Sequence, residues 1–318
     1  MTKIKKIAII ATHSFGYIDF IVDRLNSIDS VDLTYVNIDS IAFSYKNFYS
    51  RINNFFSKFF LLGNLKDKNR TNYINNIVKN KGSFDQILII RPDKLEKDLL
   101  IYLRENAVEM TCYLFDGIEN YPEQQNTLQF FDTIYSYDKN DVKKYNFQFL
   151  TNYIYDNEIK NITPRQTVFH ISSYDKRFPM LQNLATNFEL KNISYLFIVR
   201  KDSGHFNSKI NLIKNYLSIQ EVKNHIAEST ILVDIQKNNQ QGLSFRIFEA
   251  LGYNKKIITN NEDIVRYDFY NVNNIWVITE DNLEIPQSFF ETKYKPIDAS
   301  VLRKYMLANW IETVFKVK

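Results

Sequence analysis

The fold of this chain is decided by residues 241–260, which read Gln-Gly-Leu-Ser-Phe-Arg-Ile-Phe-Glu-Ala-Leu-Gly-Tyr-Asn-Lys-Lys-Ile-Ile-Thr-Asn. Gly242 opens a short segment that carries Arg246 and Glu249, and Gly252 ends it before an apolar run. This order predicts a loop, a helix, a turn and a strand. Backbone N–H groups at a helix N-terminus bind anions. The stretch therefore predicts a site where N–H groups, an arginine and a carboxylate surround one small anionic, hydroxyl-rich ligand.

Strands and helices alternate along the chain in two successive series. In the first series the pattern predicts helices at Ile18–Ile28 and Leu95–Leu103, and strands at Lys5–Ala11, Val31–Val36, Phe84–Ile90, Glu109–Phe115 and Thr133–Tyr137. In the second it predicts helices at Phe178–Phe188, Asn211–His225 and Ala299–Phe315, and strands at Thr167–Ile171, Tyr195–Val199, Thr230–Ile235, Lys256–Thr259 and Ile275–Ile278. Alternation of this kind indicates mostly parallel sheets with helices on both faces.

The polar segment Tyr153–Pro164 separates the two series and predicts a linker. A chain of 318 residues also favours two domains over one. We therefore expect an α/β protein with a Rossmann-like N-terminal domain at 1–157 and a Rossmann-like C-terminal domain at 165–318. Ligands of open α/β sheets bind outside the carboxyl ends of the strands. The expected site is a cleft between two facing sheets.

The composition is that of an ordinary soluble globular protein, with 45% hydrophobic and 24% charged residues. The formal net charge of +4 is too small to indicate a nucleic-acid partner. The single cysteine, Cys112, excludes a disulfide within the chain and fits a reducing cytoplasm. The first apolar run is shorter than that of a signal peptide, and no stretch is apolar for long enough to span a membrane. We expect a cytoplasmic protein.

Basic residues follow the predicted strands of the second series. Lys176 and Arg177 follow its first strand, Arg200 and Lys201 follow its second, and Arg246 lies in the opening stretch. Arginine binds phosphate groups through two parallel hydrogen bonds. These residues therefore predict a binding site for a nucleoside diphosphate. The alternative is that each is a solvated loop residue.

Glu249 lies three residues after Arg246, so the two side chains share one face of the predicted helix. A carboxylate in this position can accept hydrogen bonds from ribose or sugar hydroxyls. The alternative is a surface ion pair of little energetic value. The flanking Gly242 and Gly252 favour a built site, because the chain has only seven glycines.

Residues 242–258, with Glu-Ala-Leu-Gly at 249–252, resemble the donor-binding segment of GT-B glycosyltransferases. Many retaining members of that superfamily carry Glu-x7-Glu, and Glu249 matches the second glutamate. Gln241 occupies the position of the first, where it can hydrogen-bond but carries no charge. The two α/β series agree with this resemblance over nearly the whole chain. The resemblance also fits a terminal helix that packs back on the N-terminal domain.

More narrowly, the chain resembles bacterial enzymes that build lipopolysaccharide, capsule or exopolysaccharide, with weaker similarities at Tyr113–Gly117 and Tyr135–Asp138. The resemblance implies that the second domain binds a nucleotide sugar and the first binds a glycan or lipid-linked acceptor. It implies sugar transfer with loss of a nucleoside diphosphate and without an obligatory metal or other cofactor. The predicted donor-binding residues are Arg177, Arg200, Lys201, Gln241, Gly242, Leu243, Ser244, Arg246 and Glu249.

An inverting mechanism would need a general base from the first domain. The candidates are His13 at the end of the first strand, Asp19, and Asp116 at the end of a later strand. A retaining mechanism needs no such base. The Glu-x7-Glu resemblance favours retention, whereas Gln241 weakens that preference. Both stereochemical courses stay open, with Glu249, His13 and Asp116 as the predicted catalytic residues.

The segment Tyr45–Lys81 is basic and aromatic, and Asp67 is its single acid. Its phenylalanines between Phe48 and Phe60 fall near helical spacing. A basic amphipathic helix of this kind can lie on an anionic membrane surface, which would place the enzyme at the periphery of the inner membrane. The alternative is that the aromatic face packs on the first domain and the basic face is solvated.

Two other classes of protein share the expected architecture. A nicotinamide-dependent oxidoreductase needs Gly-x-Gly-x-x-Gly after the first strand, and Thr12–Gly16 lacks it. A two-domain sugar- or nucleotide-binding sensor would bind its ligand without turnover. The missing export signal argues against the periplasmic form of such a sensor.

Overall fold

The structure, a computed structural model, describes residues 3–44, 64–159, 162–202, 210–237 and 241–317. The chain divides into two compact units. The first unit comprises Met1–Leu150 with Ile311–Lys318, and the second comprises Thr151–Trp310. The domain bounds expected from the sequence, 1–157 and 165–318, stay a prediction.

The first unit is built on a six-stranded parallel sheet with the strand order β2-β1-β3-β4-β5-β6. Its strands are β1 (Lys5–Ala11), β2 (Val31–Asn37), β3 (Phe84–Ile89), β4 (Ala107–Leu114), β5 (Thr133–Ser136) and β6 (Gln148–Phe149). The helices described before residue 150 are α1 (Tyr17–Asn26), α2 (Leu65–Lys81), α3 (Lys97–Glu105) and α4 (Lys139–Tyr145).

Burial explains why these residues form these elements. Residues 7–11 of the interior strand β1 are buried in succession, as expected for a parallel strand that is covered on both faces. Helix α1 buries Ile18, Ile21 and Leu25, which lie three and four residues apart on one helical face. Asp138 caps α4, because its carboxylate accepts a hydrogen bond from Asn140 N at 2.8 Å.

The second unit is built on a six-stranded parallel sheet with the strand order β12-β11-β10-β7-β8-β9. Its strands are β7 (Gln166–Ser173), β8 (Tyr195–Arg200), β9 (Asn211–Ile213), β10 (Ser229–Asp234), β11 (Lys256–Thr259) and β12 (Ile275–Val277). The helices of this part of the chain are α5 (Phe178–Leu190), α6 (Ile219–Ala227), α7 (Phe245–Gly252), α8 (Gln287–Glu291), α9 (Ala299–Arg303) and α10 (Leu307–Phe315). The strand order reverses between β7 and β10, which makes this pair the switch point of the sheet.

All ten predicted strands are confirmed to within two residues at each end. The helix predicted at Asn211–His225, however, is wrong in its first half. Residues 211–213 form the edge strand β9, which pairs with β8. The helix α6 begins only after Ser218, where the Ser218 hydroxyl accepts from Glu221 N and the Glu221 carboxylate accepts from Ser218 N. This capping box starts the helix at a defined residue.

The single terminal helix predicted at Ala299–Phe315 is also wrong, because two helices, α9 and α10, occupy this region. Met306 lies between them and forms a parallel bridge with Ile154. Ile154 N donates to Tyr305 O at 2.7 Å, and Leu307 N donates to Ile154 O at 3.0 Å. These strand-like bonds take backbone groups that a continuous helix would use internally.

The basic segment predicted at Tyr45–Lys81 is described only from residue 64. The aromatic residues between Phe48 and Phe60, on which the amphipathic prediction depends, lie outside the described residues. Helix α2 buries Ile74 and Val78 in the core of the first unit and exposes its lysines. No helix in the described part of the chain is long and apolar enough to cross a membrane.

The last residues of the chain are attached to the first sheet through Gln86, which is fully buried on β3. Its Nε2 donates to Val314 O at 2.8 Å and to Thr111 Oγ1 at 2.9 Å. Its Oε1 accepts from Lys5 Nζ at 2.8 Å. One amide thus joins β3 to its neighbours β1 and β4 and to the end of α10.

We expect Gln86→Met to lower the free energy of unfolding by about 2 kcal/mol, because it leaves buried polar groups without partners. Chemical denaturation of the purified protein measures this change. The matched control is Gln125→Met at an exposed position, which should have little effect. Equal stabilities of the two variants would contradict the role assigned to Gln86.

Candidate functional site

The loops after the strands of the second sheet meet at its carboxyl edge, where helix α7 begins. Ser244 caps this helix, because its Oγ accepts a hydrogen bond from Arg246 N at 3.2 Å. The same hydroxyl donates to Asp234 Oδ1, at the end of β10, at 2.8 Å. This pair of bonds fixes the N-terminus of α7, with its backbone N–H groups, next to the switch point of the sheet.

Arg246 and Glu249 form an ion pair on one face of α7, as the spacing of the two residues predicts. The pair is not a surface pair, because the side chain of Arg246 is only 11% exposed and that of Glu249 is 0% exposed. Tyr155 OH donates to the other carboxylate oxygen of Glu249 at 2.7 Å. The Arg246 guanidinium also lies 5.7 Å from the centre of the Phe169 ring. Both charges are therefore held by neighbours within the second unit.

Asp234 is a buried carboxyl group that the sequence did not single out as a site residue. Its Oδ2 has no hydrogen-bond partner among the described residues. Burial raises the pKa of Asp234, and the Ser244 hydrogen bond and the charges of Arg177 and Arg246 oppose that rise. Glu249 is a further electrostatic neighbour of this carboxyl group. The fold thus brings Arg177, Arg246 and Glu249, all predicted site residues, around one buried acid.

Arg177 connects the loop after β7 to the end of β10. Its guanidinium forms hydrogen bonds with both carboxylate oxygens of Asp175, including Nη2 to Oδ2 at 2.6 Å. Its Nη1 donates to Ile235 O at 2.7 Å. The Arg177 side chain and its hydrogen bonds therefore span the switch point between the two strands, with the guanidinium charge partly compensated by Asp175.

Arg200 and Lys201 lie at the end of β8, one strand further along the edge. Arg200 pairs with Asp202 and stacks over Tyr216, with 4.5 Å between the guanidinium carbon and the ring centre. The Lys201 ammonium lies 3.8 Å from the centre of the Tyr174 ring. Each of the three predicted arginines thus pairs with a carboxylate that lies two or three positions away in the sequence.

The turn before α7 is fixed by contacts of its backbone. Gly242 has a φ of 136°, a conformation that favours glycine. Its carbonyl accepts from Gln236 Nε2 at 2.8 Å and from Asn261 Nδ2 at 2.7 Å. Leu243 O accepts from Asn152 Nδ2 at 2.9 Å. The predicted residues Gly242 and Leu243 are therefore held in place through their carbonyl oxygens.

A cavity of about 580 Å³ lies beside this turn, at the carboxyl ends of β10, β11 and β12. Most of its lining is polar, and Gln241 is the predicted donor-binding residue on its wall. The lining residues are Gln236, Lys237, Gln241, Asn260, Asn261, Glu262, Asp263, Val265, Arg266 and Val277. Sequence reasoning missed the amides of Gln236, Asn260 and Asn261. The one available signal was their position directly after predicted strands.

Two base candidates, His13 and Asp19, lie near the end of β1 in the first unit. Both side chains are exposed, and His13 N donates to Asp39 Oδ2 at 2.8 Å. The turn that follows His13 is strained, because Ser14 and Phe15 have φ values of 46° and 58°. Strain of this kind recurs at ligand-binding turns.

The third candidate, Asp116, follows β4 and is half-buried. Its carbonyl accepts from Gln124 Nε2 at 3.5 Å. Burial lowers the pKa of Arg91, but the hydrogen bond and charge of Asp93 raise it more. The charge of Asp116 contributes to this net rise. Strand β3 lies between β1 and β4, so His13 and Asp116 follow two strands that are not neighbours in the sheet.

Within the described ranges, no group of three or more His, Cys, Asp or Glu side chains is placed to hold a metal ion. The expectation that the protein needs no metal stays a prediction.

Solved structures similar to this chain are found over nearly its whole length. An α-glucosyltransferase in complex with UDP and a 13-mer DNA containing an HMU base is similar with a TM-score of 0.59 and 12% identity, covering 91% of this chain and 89% of that one. UDP-GlcNAc 2-epimerase from Neisseria meningitidis bound to UDP-GlcNAc has a TM-score of 0.56 and 10% identity, covering 98% of this chain and 100% of that one. A further UDP-N-acetylglucosamine 2-epimerase has a TM-score of 0.55 and 11% identity, covering 100% and 98%.

No protein-family model matches the chain, and no curated protein matches it. The structural similarities and the two six-stranded parallel sheets define a two-domain, Rossmann-like GT-B fold. The predicted fold class is therefore confirmed.

His170 is a buried histidine of β7 that lies within electrostatic range of Arg246 and Arg177. Its Nδ1 lies 2.9 Å from Val233 O, so this nitrogen carries the proton, and its Nε2 lies 2.9 Å from Ser172 Oγ. Burial lowers the pKa of His170 to about 3. Because the unfolded chain binds this proton near pH 6.5, the folded state loses stability as the pH falls from about 6.5 towards 3.

We expect the titration of His170 alone to lower the free energy of unfolding by about 2 kcal/mol as the pH falls from 7 to 5. His170→Asn keeps an amide donor for Val233 O and has no such titration, so its unfolding free energy should fall less over this range. Urea denaturation at several pH values measures both curves. The comparison at pH 8, where the imidazole is neutral in both states, gives the cost of the substitution itself. Parallel curves for wild type and variant would contradict the buried neutral imidazole.

Proposed function

We propose that the protein is a glycosyltransferase that uses a nucleotide-sugar donor. One observation carries this proposal. The N-terminus of α7, the cations Arg177 and Arg246, and an amide-lined cavity all lie along the carboxyl edge of the second sheet. Negative charge grows on the departing diphosphate during glycosyl transfer. Helix N-termini and guanidinium groups stabilise such charge.

In the proposed reaction, the bond between the anomeric carbon and the diphosphate oxygen breaks, and an acceptor oxygen bonds to that carbon. For inversion, we propose that His13 or Asp116 takes the acceptor proton, with Asp19 as a further candidate. For retention, the departing phosphate can take it. Glu249 has no exposed side-chain surface, so its proposed part is to hold Arg246 rather than to reach the sugar directly.

The ligands of the similar structures support uridine nucleotides as the first donors to test. The α-glucosyltransferase structure contains UDP, and the Neisseria meningitidis epimerase structure contains UDP-GlcNAc. The comparable similarity to the two types of enzyme favours one second candidate function, the epimerisation of a nucleotide sugar.

We further propose a glycan or lipid-linked acceptor in bacterial surface polysaccharide synthesis, at the cytoplasmic side of the inner membrane and without a metal. The basic residues of segment 45–81 support the membrane part, because Lys66, Lys68, Lys79 and Lys81 are exposed on α2. Vesicles with and without anionic lipid test it by co-sedimentation.

Turnover decides among these functions. The purified protein is incubated with UDP-, GDP- and ADP-sugars and with glycan, lipid-linked and DNA acceptors, and the products are separated by liquid chromatography and identified by mass spectrometry and NMR, the latter because epimers have equal masses. Release of nucleoside diphosphate together with a glycosylated acceptor supports the transferase. A nucleotide sugar that changes only its configuration supports the epimerase, and binding of sugar without turnover supports a sensor.

We expect Arg246→Ala to weaken UDP binding by about ten-fold or more, because a guanidinium close to the diphosphate is lost. Arg246→Lys should be intermediate, since it keeps the charge but not the planar fork. Isothermal titration calorimetry measures both affinities. Arg165→Ala, at an ion-paired position whose side chain is 77% exposed, is the control and should bind UDP like wild type. Folded Arg246→Ala protein that binds UDP with wild-type affinity would refute the assignment.

A further inference from the structure

Two buried amide side chains converge on one carbonyl at the turn before α7. Gln236 and Asn261 are 8% and 7% exposed, and both donate to the oxygen of Gly242. A carbonyl oxygen has two lone pairs, so these two donors saturate it. The convergence requires two strand ends to meet, because Gln236 follows β10 and Asn261 follows β11.

The saturated carbonyl fixes more than its own position. The C=O of Gly242 and the N–H of Leu243 belong to one planar peptide and point in opposite directions. Holding the oxygen therefore also holds this N–H and the entry of the chain into α7. Without the two amides, Gly242 would be free to change its backbone angles, because glycine has access to both signs of φ.

A third amide ties the two strand ends together. Gln236 N donates to Asn260 Oδ1 at 2.7 Å, and Asn260 Nδ2 donates to Gln236 O at 3.3 Å. Asn261 Oδ1 accepts from Asp263 N at 3.1 Å. Gln236, Asn260 and Asn261 all line the cavity, as does Gln241 in the turn itself. The turn and its amide supports are thus parts of the same cavity wall.

We infer that Gln236 and Asn261 are positioning residues that hold the Gly242 turn in the conformation that binds the donor nucleotide. The identity of the ligand rests on the function proposed above, whereas the holding of the turn rests on the hydrogen bonds alone. The two residues act through the backbone of the turn.

The test uses two variants that each remove one donor from the Gly242 carbonyl. Asn261→Asp is isosteric and adds a charge, and Gln236→Met is nearly isosteric and uncharged, so agreement between them excludes an effect of charge. Each has a matched control at a buried amide that donates to a backbone carbonyl elsewhere. Asn274→Asp loses a bond to Lys295 O, and Gln86→Met loses a bond to Val314 O.

Two measurements distinguish an effect on the conformation of the turn from an effect on the binding of the ligand. Hydrogen exchange of the ligand-free protein, measured by mass spectrometry, should show faster exchange in the peptide covering 241–247 for the two site variants and not for the controls. Calorimetry should show UDP affinity about ten-fold weaker for the site variants, the equivalent of one lost buried hydrogen bond, and unchanged for the controls. All four variants should lose thermal stability.

Unchanged exchange of 241–247 in both site variants would overturn the inference. So would site variants that lose stability yet bind UDP as tightly as wild type. If wild type binds none of UDP, GDP and ADP, the proposed function fails, and with it the link to a nucleotide, while hydrogen exchange still decides whether the amides hold the turn.

Discussion

The parallel direction of the strands is the constraint on which the candidate site depends. In each unit every strand ends at the same edge of its sheet, so loops far apart in sequence arrive side by side. Asp234 at the end of β10 can therefore accept a hydrogen bond from Ser244 while lying within electrostatic range of Arg177, which follows β7. An antiparallel sheet would send alternate loops to the opposite edge. The N-terminus of α7, the two guanidinium groups and the cavity lie along the same edge of the sheet because the chain crosses over after each strand.

Burial then dictates how the charges at this edge are arranged. A guanidinium that is largely removed from solvent, as those of Arg177 and Arg246 are, needs an acceptor, because an unpaired buried charge is strongly destabilising. Arg177 has Asp175, and Arg246 has Glu249, which is itself bound by Tyr155. These pairs keep the guanidinium groups in place before any ligand arrives. They also offset much of the positive charge, so backbone N–H groups carry more of the proposed attraction for a diphosphate.

The sequence was sufficient for most of the fold, because buried parallel strands read as short apolar runs and the helices between them repeat their apolar residues every three or four positions. It failed where a tertiary contact overrides a local pattern. Residues 211–213 became a strand because β8 offers them an edge, and Met306 interrupts the terminal helix because Ile154 pairs with it. The Arg246–Glu249 pair was predictable, since its geometry is set by helical spacing. The amides of Gln236 and Asn261 were not, because their partner, the carbonyl of Gly242, is identified only once β10 and β11 lie side by side.

Asp234 shows how the same fold can keep an acid beside a proposed anion site. A charged carboxylate at the N-terminus of α7 would compete with a diphosphate for the same N–H groups. Burial favours the neutral form of Asp234 and raises its pKa, although Ser244 and the two guanidinium groups favour the charged form. The neutral form can still accept the Ser244 hydrogen bond through Oδ1 while the proton sits on Oδ2, the oxygen that has no hydrogen-bond partner among the described residues. Protonation would therefore remove one negative charge from the edge of the sheet without releasing the cap of α7.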